Sequence, residues 1–448
     1  MQGKIANDEK VDIIISNPPY INQDRKDQEG TEKYKTILQG LNNGKIDIYQ
    51  AFLKLSIDML NPNGFGLFVL PHNFLIGESS KKLRNYLLEN CTVELIADLS
   101  SINVFDKVST YTVLVIFRKK SNVIFRDSTS WLMKCRTSVG EALNQLLMGN
   151  ELAQRQYQIY KAENYFTPDG DWFLLNKSEF NLLTKIKSNK SIDNFLRVNQ
   201  GIISGNDDVF IRNIFEVSKN EKAIYKSFLP DKEIDKFTIE RRSIKLLFYP
   251  FIDNELISED VLATTYSETW QYLNKNKENI YSTCADVKNG KRLWWTLHRP
   301  RKTEYINAPK IVAPYLSITP KFALDKEGSF VTSRSPYLIL KGENTDTDLL
   351  YYFLGILNSV PCYWTLSLQA QKQSSGYNIF HLNILKATPI PDPTLVENSS
   401  LVSKMILTVK RRIMEKTEIG KIELEQEINK ISCDLYQLSQ NEIELLGL

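Results

Sequence analysis

From residue 11 the chain alternates short apolar runs with amphipathic ones. Residues 11–16, VDIIIS, are nearly all apolar and predict a strand covered on both faces. Asp47 with Gln50 three positions later makes a capping-box pattern, and a helix is predicted from there through AFLKLSIDML. It stops at the breaker Asn61-Pro62-Asn63-Gly64, and Gly64-Phe65-Gly66 reads as a tight turn ahead of a strand over 65–70. A helix over 79–89 and strands over 93–98 and 111–117 follow. No helix-length segment separates the last two strands, so an antiparallel pair is expected. Strands alternating with helices imply an α/β sheet with crossover connections.

The texture changes further on. Residues 121–165 form a transition with a helix expected near 139–156. From 166 to about 393 short β-like runs are separated by turns, as in GIISGNDDVFI, KLLFYPF and PKIVAPYL, which predicts a β-rich domain with some helix. After the PIPDP segment the pattern of 401–445 is helical. The most apolar stretch, Leu349 to Leu366, is interrupted by Asn358, Ser359 and Pro361, so a membrane span is not expected.

Composition adds exclusions. The chain has 448 residues, with 56 Lys and Arg against 53 Asp and Glu, a formal charge of +3. That balance argues against a basic tail-like binder and against an acidic disordered chain. The 5 cysteines are scattered without a CxxC pair, and the first ten residues lack the apolar core of a signal peptide. A reducing cytoplasm fits this usage. The 3 histidines share no motif with a carboxylate, so no metal site is expected.

The sharpest chemical signal is Asn17-Pro18-Pro19-Tyr20, placed directly after the first predicted strand. Strand ends in open α/β sheets are where ligands bind. Two prolines fix φ twice and remove two N–H donors, leaving a stiff loop with free carbonyls. An amide, a fixed carbonyl and an aromatic ring displayed together suit a planar exocyclic amine. Asn17 Oδ1 and the Pro18 carbonyl can accept its two hydrogens while Tyr20 stacks on the ring. An ordinary Pro-Pro turn is the competing reading.

SNPPY resembles the catalytic loop of amino-methyltransferases that use S-adenosylmethionine, and the Asn form resembles enzymes acting on N6 of adenine. DIYQAFLKLSIDMLNPNGFGLFVLPHNFL resembles the γ class of adenine DNA methyltransferases, and GIISGNDDVF, FLPDKEI, PKIVAPYLSITPKFALD, LLYYFLGILNSVPCYW and LKATPIPDP resemble their TaqI-like C-terminal specificity domain. The fold implied is α/β: the C-terminal part of a Rossmann-like methyltransferase sheet over 1–165, an α+β, β-rich target-recognition domain over 166–395, and a helical tail over 396–448. The resemblance implies that Asn17 and Pro18 hold the amine, that Tyr20 stacks on a flipped adenine of double-stranded DNA, and that Phe105 covers its other face. The mechanism that the resemblance implies needs neither a metal nor a covalent intermediate, with positioning and electrostatics carrying most of the rate.

The family places its cofactor site upstream of NPPY, on a Gly-rich turn after the first strand. Only sixteen residues precede Asn17, and Asn17 is the one cofactor-site residue that the resemblance places in this chain. The chain is therefore expected to lack an N-terminal half, either as part of a larger enzyme or as one member of a split one. The alternative is a DNA-recognition subunit that cannot transfer methyl groups alone. For DNA contact, residues 286–326 hold nine Lys and Arg against three acids around a Trp pair. Lys291, Arg292, Trp294, Trp295, Arg299, Arg301 and Lys302 are the expected contacts, with Arg241, Arg242 and Lys245 as a weaker cluster. Gly201, Ser204, Gly205 and Asn206 match a family turn and are expected to be structural.

Overall fold

The computed structural model describes residues 10–21, 28–44, 46–99, 111–121, 130–135, 157–162, 171–342, 346–372 and 377–448. The helix expected near 139–156 lies outside the described residues. Two compact units emerge: residues 1–184 with 371–378, and residues 185–370 with 379–448. The segment 171–184, expected to open the second domain, thus belongs to the first unit, and the helical tail belongs to the second.

The first unit holds a six-stranded mixed sheet. Its elements in chain order are β1 (Val11–Ser16), α1 (Gln28–Leu38), α2 (Ile48–Met59), β2 (Leu60–Pro71), α3 (Asn73–Ile76), α4 (Lys81–Asn90), β3 (Cys91–Asp98), β4 (Thr112–Lys119), β5 (Ser130–Cys135) and β6 (Tyr157–Ala162). The strand order is β1-β2-β4-β3-β5-β6. β1 and β2 are parallel and joined through α1 and α2, while β3 and β4 form the expected antiparallel pair. Helix α2 starts where Asp47 predicts: the Gln50 side chain reaches back to the Asp47 N–H at 3.1 Å.

The breaker after α2 acts differently from expectation. Leu60 already pairs with Val11, and the next aligned pair is Ile13 with Phe65, so Asn61–Gly64 bulge out of β2 rather than precede it. Asn63 takes the bend at a φ of 68°. Gly66 is not a turn glycine either. It lies in β2 opposite Phe117, whose ring would come within 2.3 Å of any Cβ there. The vacated space lets Phe117 stack on Phe68 at 5.7 Å.

Helices cover one face of this sheet. Tyr49, Leu53 and Ile57 of α2 and Leu83 and Leu87 of α4 pack on Phe68, Leu70, Val113, Val115 and Phe117. The opposite face is also apolar. In register across it lie Ile13 with Phe65, Ile15 with Leu67, then Ile116 and Leu114 of β4, all half-buried or exposed. β1 was expected inside the sheet. It occupies an edge instead, and Ile13 and Ile15 are 62% and 77% exposed.

The second unit is built on small antiparallel sheets. A four-stranded one runs in the order Ala323–Asp325, Lys310–Val312, Pro336–Leu340, Leu196–Gln200. A three-stranded one joins Tyr225–Phe228, Lys245–Phe248 and Ile211–Asn213. The helices Leu349–Asn358 and Val360–Gln369 divide the apolar stretch at Ser359 and Pro361. Among the described residues no helix is long and apolar enough to cross a membrane. Helices Ser399–Met414 and Glu418–Leu435 pack against this pair, with Gly355 giving room to Met405.

Candidate functional site

The Asn17–Tyr20 loop leaves the C-terminal end of β1. Asn17 and Pro19 are exposed, Pro18 is buried and Tyr20 is half-buried. The buried Pro18 anchors the loop while the Asn17 amide stays open to solvent. The Tyr20 hydroxyl donates to the Val69 carbonyl of β2 at 2.9 Å and lies 3.2 Å from Asn17 Oδ1. Its ring meets Tyr49 edge-on at 6.4 Å, Tyr49 meets Phe74 at 6.4 Å, and Phe74 meets Trp172 at 5.6 Å. This aromatic chain ties the loop to the core.

Asp47 clasps the same loop. Burial pushes its carboxyl up to about 6, against the pull of the backbone N–H groups of Tyr49, Ile21 and Ile48. Ile21 directly follows Tyr20, so one carboxylate caps α2 and holds the loop exit. Its Oδ1 is buried without a hydrogen-bond partner among the described residues. Burial, with the Asp47 charge beside it, also pushes the Tyr20 phenol above its ordinary value. Behind the loop Tyr49 bonds Ser80 Oγ at 2.7 Å, and the buried Arg84 donates to the Phe74 and Gly77 carbonyls at 2.7 and 2.9 Å and to Asp171 at 3.2 Å. Burial lowers the Arg84 pKa. Sequence reading named Asp47 only as a cap and missed Tyr49, Arg84 and Trp172. Apolar spacing gives no signal for them. Phe105 lies outside the described residues.

In the second unit the expected DNA contacts separate into two groups. Lys291, Arg299 and Lys302 are exposed. Lys302 faces Glu304 at 3.8 Å. Arg301 is half-buried, with Nε donating to the Gln200 carbonyl at 2.7 Å. Arg292, Trp294 and Trp295 are a correction. Trp294 and Trp295 are 8% and 1% exposed and pack on Trp270 at 5.3 and 6.4 Å, so their faces are spent in the core. Arg292 grips Asp286 at 2.5 and 3.2 Å and donates to the Thr296 carbonyl, while His298 Nδ1 meets the same carboxylate at 2.7 Å. The Arg292 guanidinium holds the Asp286 carboxyl well below the usual range. These three residues build the loop rather than offer charge or stacking to DNA. The weaker cluster is also engaged: Arg241 donates to the Phe228 carbonyl at 2.9 Å and Arg242 pairs with Glu240 at 2.9 Å.

The 201–206 turn is closely packed. A Cβ on Gly201 would fall 2.4 Å from the Thr332 carbonyl, and Gly205 has a φ of 95° against Arg292. Asn206 caps the short helix Asp207–Phe210. Among the described residues no group of His, Cys, Asp or Glu could hold a metal.

Residues 2–105 match the family model described as Eco57I restriction-modification methylase. The type II methyltransferase M.BanIII of Aneurinibacillus aneurinilyticus is 24% identical over 454 residues, covering 95% of this chain and 76% of its own. M.BstVI of Geobacillus stearothermophilus is 22% identical, covering 98% and 75%. The type II restriction enzyme and methyltransferase RM.Eco57I of Escherichia coli is 23% identical, covering 80% and 38%. Among solved structures, the type IIL restriction-modification enzyme MmeI in complex with DNA aligns with a TM-score of 0.64 at 13% identity, over 96% of this chain and 55% of that one. Residues 2–105 are thus similar in sequence to the Eco57I restriction-modification methylases, and the fold of the chain is similar to that of MmeI.

Proposed function

We propose that this chain carries the target-amine loop and the DNA-recognition part of a site-specific adenine-N6 DNA methyltransferase of a restriction-modification system. The observation that carries the reading is the pairing of an exposed Asn17 amide with a tethered Tyr20 ring at the end of β1. Asn17 Oδ1 and the Pro18 carbonyl accept the two hydrogens of the amine. That draws the nitrogen lone pair out of conjugation with the ring. Tyr20, fixed by Val69 and Tyr49, stacks on the base, which must leave the duplex to reach the loop. Fixed acceptors cost no reorganisation at the moment of reaction.

S-adenosylmethionine is the methyl donor that the resemblance implies. The described residues do not by themselves fit it: the carboxylate beside the loop, Asp47, is held by backbone N–H groups, and no Gly-rich turn follows a described strand of the first unit. The apolar edge of β1 favours the reading in which another polypeptide segment completes the sheet and supplies the nucleoside pocket. An open edge carrying exposed Ile13 and Ile15 is otherwise an aggregation hazard. By the same observation, the isolated chain would act as a DNA-recognition subunit.

Two measurements test this. Methyl transfer from labelled cofactor to duplex DNA by the completed enzyme, followed by nucleoside analysis, should yield N6-methyladenine; N4-methylcytosine would overturn the base assignment. Equilibrium dialysis of the chain alone should show weak cofactor binding. Tight stoichiometric binding would remove the need for a completing segment.

A further inference from the structure

Three backbone segments of the second unit lie side by side. Ile203 pairs with Arg299 through N–H···O bonds of 3.2 and 2.8 Å, and His298 N–H bonds the Ser204 carbonyl at 3.1 Å. On the other side, Ile202 N–H bonds the Thr332 carbonyl at 2.9 Å, Arg334 N–H bonds the Ile202 carbonyl at 3.1 Å, and Gly201 N–H bonds the Ser335 carbonyl at 3.0 Å. Gly201 permits this approach because any side chain would strike Thr332. Arg299 and Arg334 therefore flank the 201–204 ribbon, two backbone spacings apart, or about 10 Å.

Both arginines are exposed. Neither guanidinium has an ion-pair or hydrogen-bond partner among the described residues. The nearby acids are already engaged. Asp286 is taken by Arg292 and His298, Asp207 by Ser204 and Ser333, and Asp231 by Ser335 at 2.5 Å. The positive field is thus uncompensated. Burial, together with the Arg299 charge, lowers the Arg301 pKa. Arg334 also sits at a φ of 63°, a conformation that Gly or Asn adopts at less cost. Its loop is pinned by Thr332 Oγ1 on the Ser335 carbonyl at 2.9 Å and by Ser333 on Asp207 at 3.0 Å. A strained backbone, rigidly held, thus presents a charged side chain where a smaller residue would fit more easily.

We propose that Arg299 and Arg334 form a two-armed clamp on the DNA phosphodiester backbone, with Arg334 a contact that sequence reading did not name. The inference rests on the DNA-recognition reading above. Guanidinium forks match phosphate oxygens. With about 3.4 Å of axis per nucleotide on each strand, arms some 10 Å apart at the backbone reach phosphates a few nucleotides apart. The rigid platform sets the register of the duplex on the protein, and base reading falls to other groups.

The test is fluorescence anisotropy on a labelled duplex across a salt series, using the full chain. Arg334→Ala and Arg299→Ala should each flatten the slope of log affinity against log salt by about 0.9, and the double variant by about twice that. Arg334→Lys should restore most of the slope. Arg334→Gly removes the charge while relieving the backbone, so it should weaken binding without lowering the melting temperature. Lys404→Ala, on the helix Ser399–Met414, serves as the control and should leave the slope unchanged. Wild-type slopes in Arg334→Gly and Arg299→Ala, with DNA still bound, would overturn the clamp and leave the DNA-recognition reading standing. A wild-type chain that binds no duplex at low salt would overturn that reading and the clamp with it.

Discussion

The Tyr20 hydroxyl lies 2.9 Å from the Val69 carbonyl and 3.2 Å from Asn17 Oδ1, and it has one proton to give. The carbonyl is closer and takes it. Asn17 Oδ1 thus keeps its lone pairs free, as the proposed amine contact requires, while the hydroxyl fixes the ring at the edge of β2. Ring and hydroxyl thus have separable roles. Tyr20→Phe should lower methyl transfer by the completed enzyme only several-fold. Tyr20→Ala should remove the stacking as well, a loss of about 1–3 kcal/mol, or roughly 5- to 150-fold. Asn17→Ala should abolish transfer while DNA affinity stays within two- to three-fold (about 0.5 kcal/mol). Single-turnover transfer and anisotropy on the same variants check all three; equal losses in the two Tyr20 variants would show that stacking is not its role.

Asp47 gives the loop a pH dependence. Its folded pKa is about 6, above the unfolded value near 3.9. A raised acid binds more protons in the folded state, so its contribution to stability is present below about pH 4 and is lost as the pH rises through 6. Asp47→Asn should therefore raise the melting temperature of the chain at pH 7.5 and bring no gain at pH 4. Calorimetry at the two pH values reads the difference, and an equal effect at both would mean that the charge is not what costs.

Much of the first unit was legible in the residues. VDIIIS, the Asp47–Gln50 pair and the two closing strands became β1, α2, β3 and β4, because local periodicity and capping are properties of neighbours in sequence. The NPPY loop stood out because two prolines after an apolar strand are rare in combination. What failed was context. Continuous apolarity marks β1 as wanting cover on both faces, but says nothing about whether cover is present, and the strand lies at an edge. Basic residues near a Trp pair looked like a binding patch, yet Arg292 is satisfied by Asp286 and the tryptophans by Trp270. Charge counts along a chain cannot tell a paired cation from a free one. Arg334 lay just beyond the basic segment, and only the pairing of 332–335 with 201–204 brings it beside Arg299.

Replacing Arg292 should damage the fold before it touches DNA. Its guanidinium satisfies Asp286 and the Thr296 carbonyl, so Arg292→Leu leaves a half-buried carboxylate short of partners, at a cost of about 2 kcal/mol. The Asp286 pKa is depressed, so its stabilisation is present above the unfolded carboxylate value and is lost as the pH falls below it. The variant should melt earlier at pH 7, and the gap to wild type should narrow towards pH 3. Its salt slope for DNA should match wild type at a temperature where both are folded. A flattened slope would return Arg292 to the DNA contacts.

Lys310 and Asp325 form a buried ion pair at 3.0 Å, each side chain 2% exposed. Burial lowers the Lys310 pKa while Asp325 opposes the shift. The ammonium also donates to the Ile306 and Ala308 carbonyls at 2.6 and 3.3 Å, and the carboxylate accepts from Ser329 and Phe330 N–H at 2.9 Å each. The pair therefore closes two loops at once. Lys310→Met would strand the carboxylate in the interior, and removing one partner of such a pair costs about 3–5 kcal/mol. In Lys310→Met/Asp325→Asn no charge is left unpaired and one of the two 329–330 N–H groups keeps its acceptor, so the double variant should be more stable than Lys310→Met alone. Urea unfolding measures both. Strict additivity would mean that the two side chains act through their separate loops, and a double variant more stable than wild type would mean that the charges lower stability. The strand Lys310–Val312 pairs with Pro336–Leu340, which leads directly out of the Arg334 loop. Lys310→Met should therefore loosen that loop, and amide exchange at Arg334 should rise in step with the loss of stability.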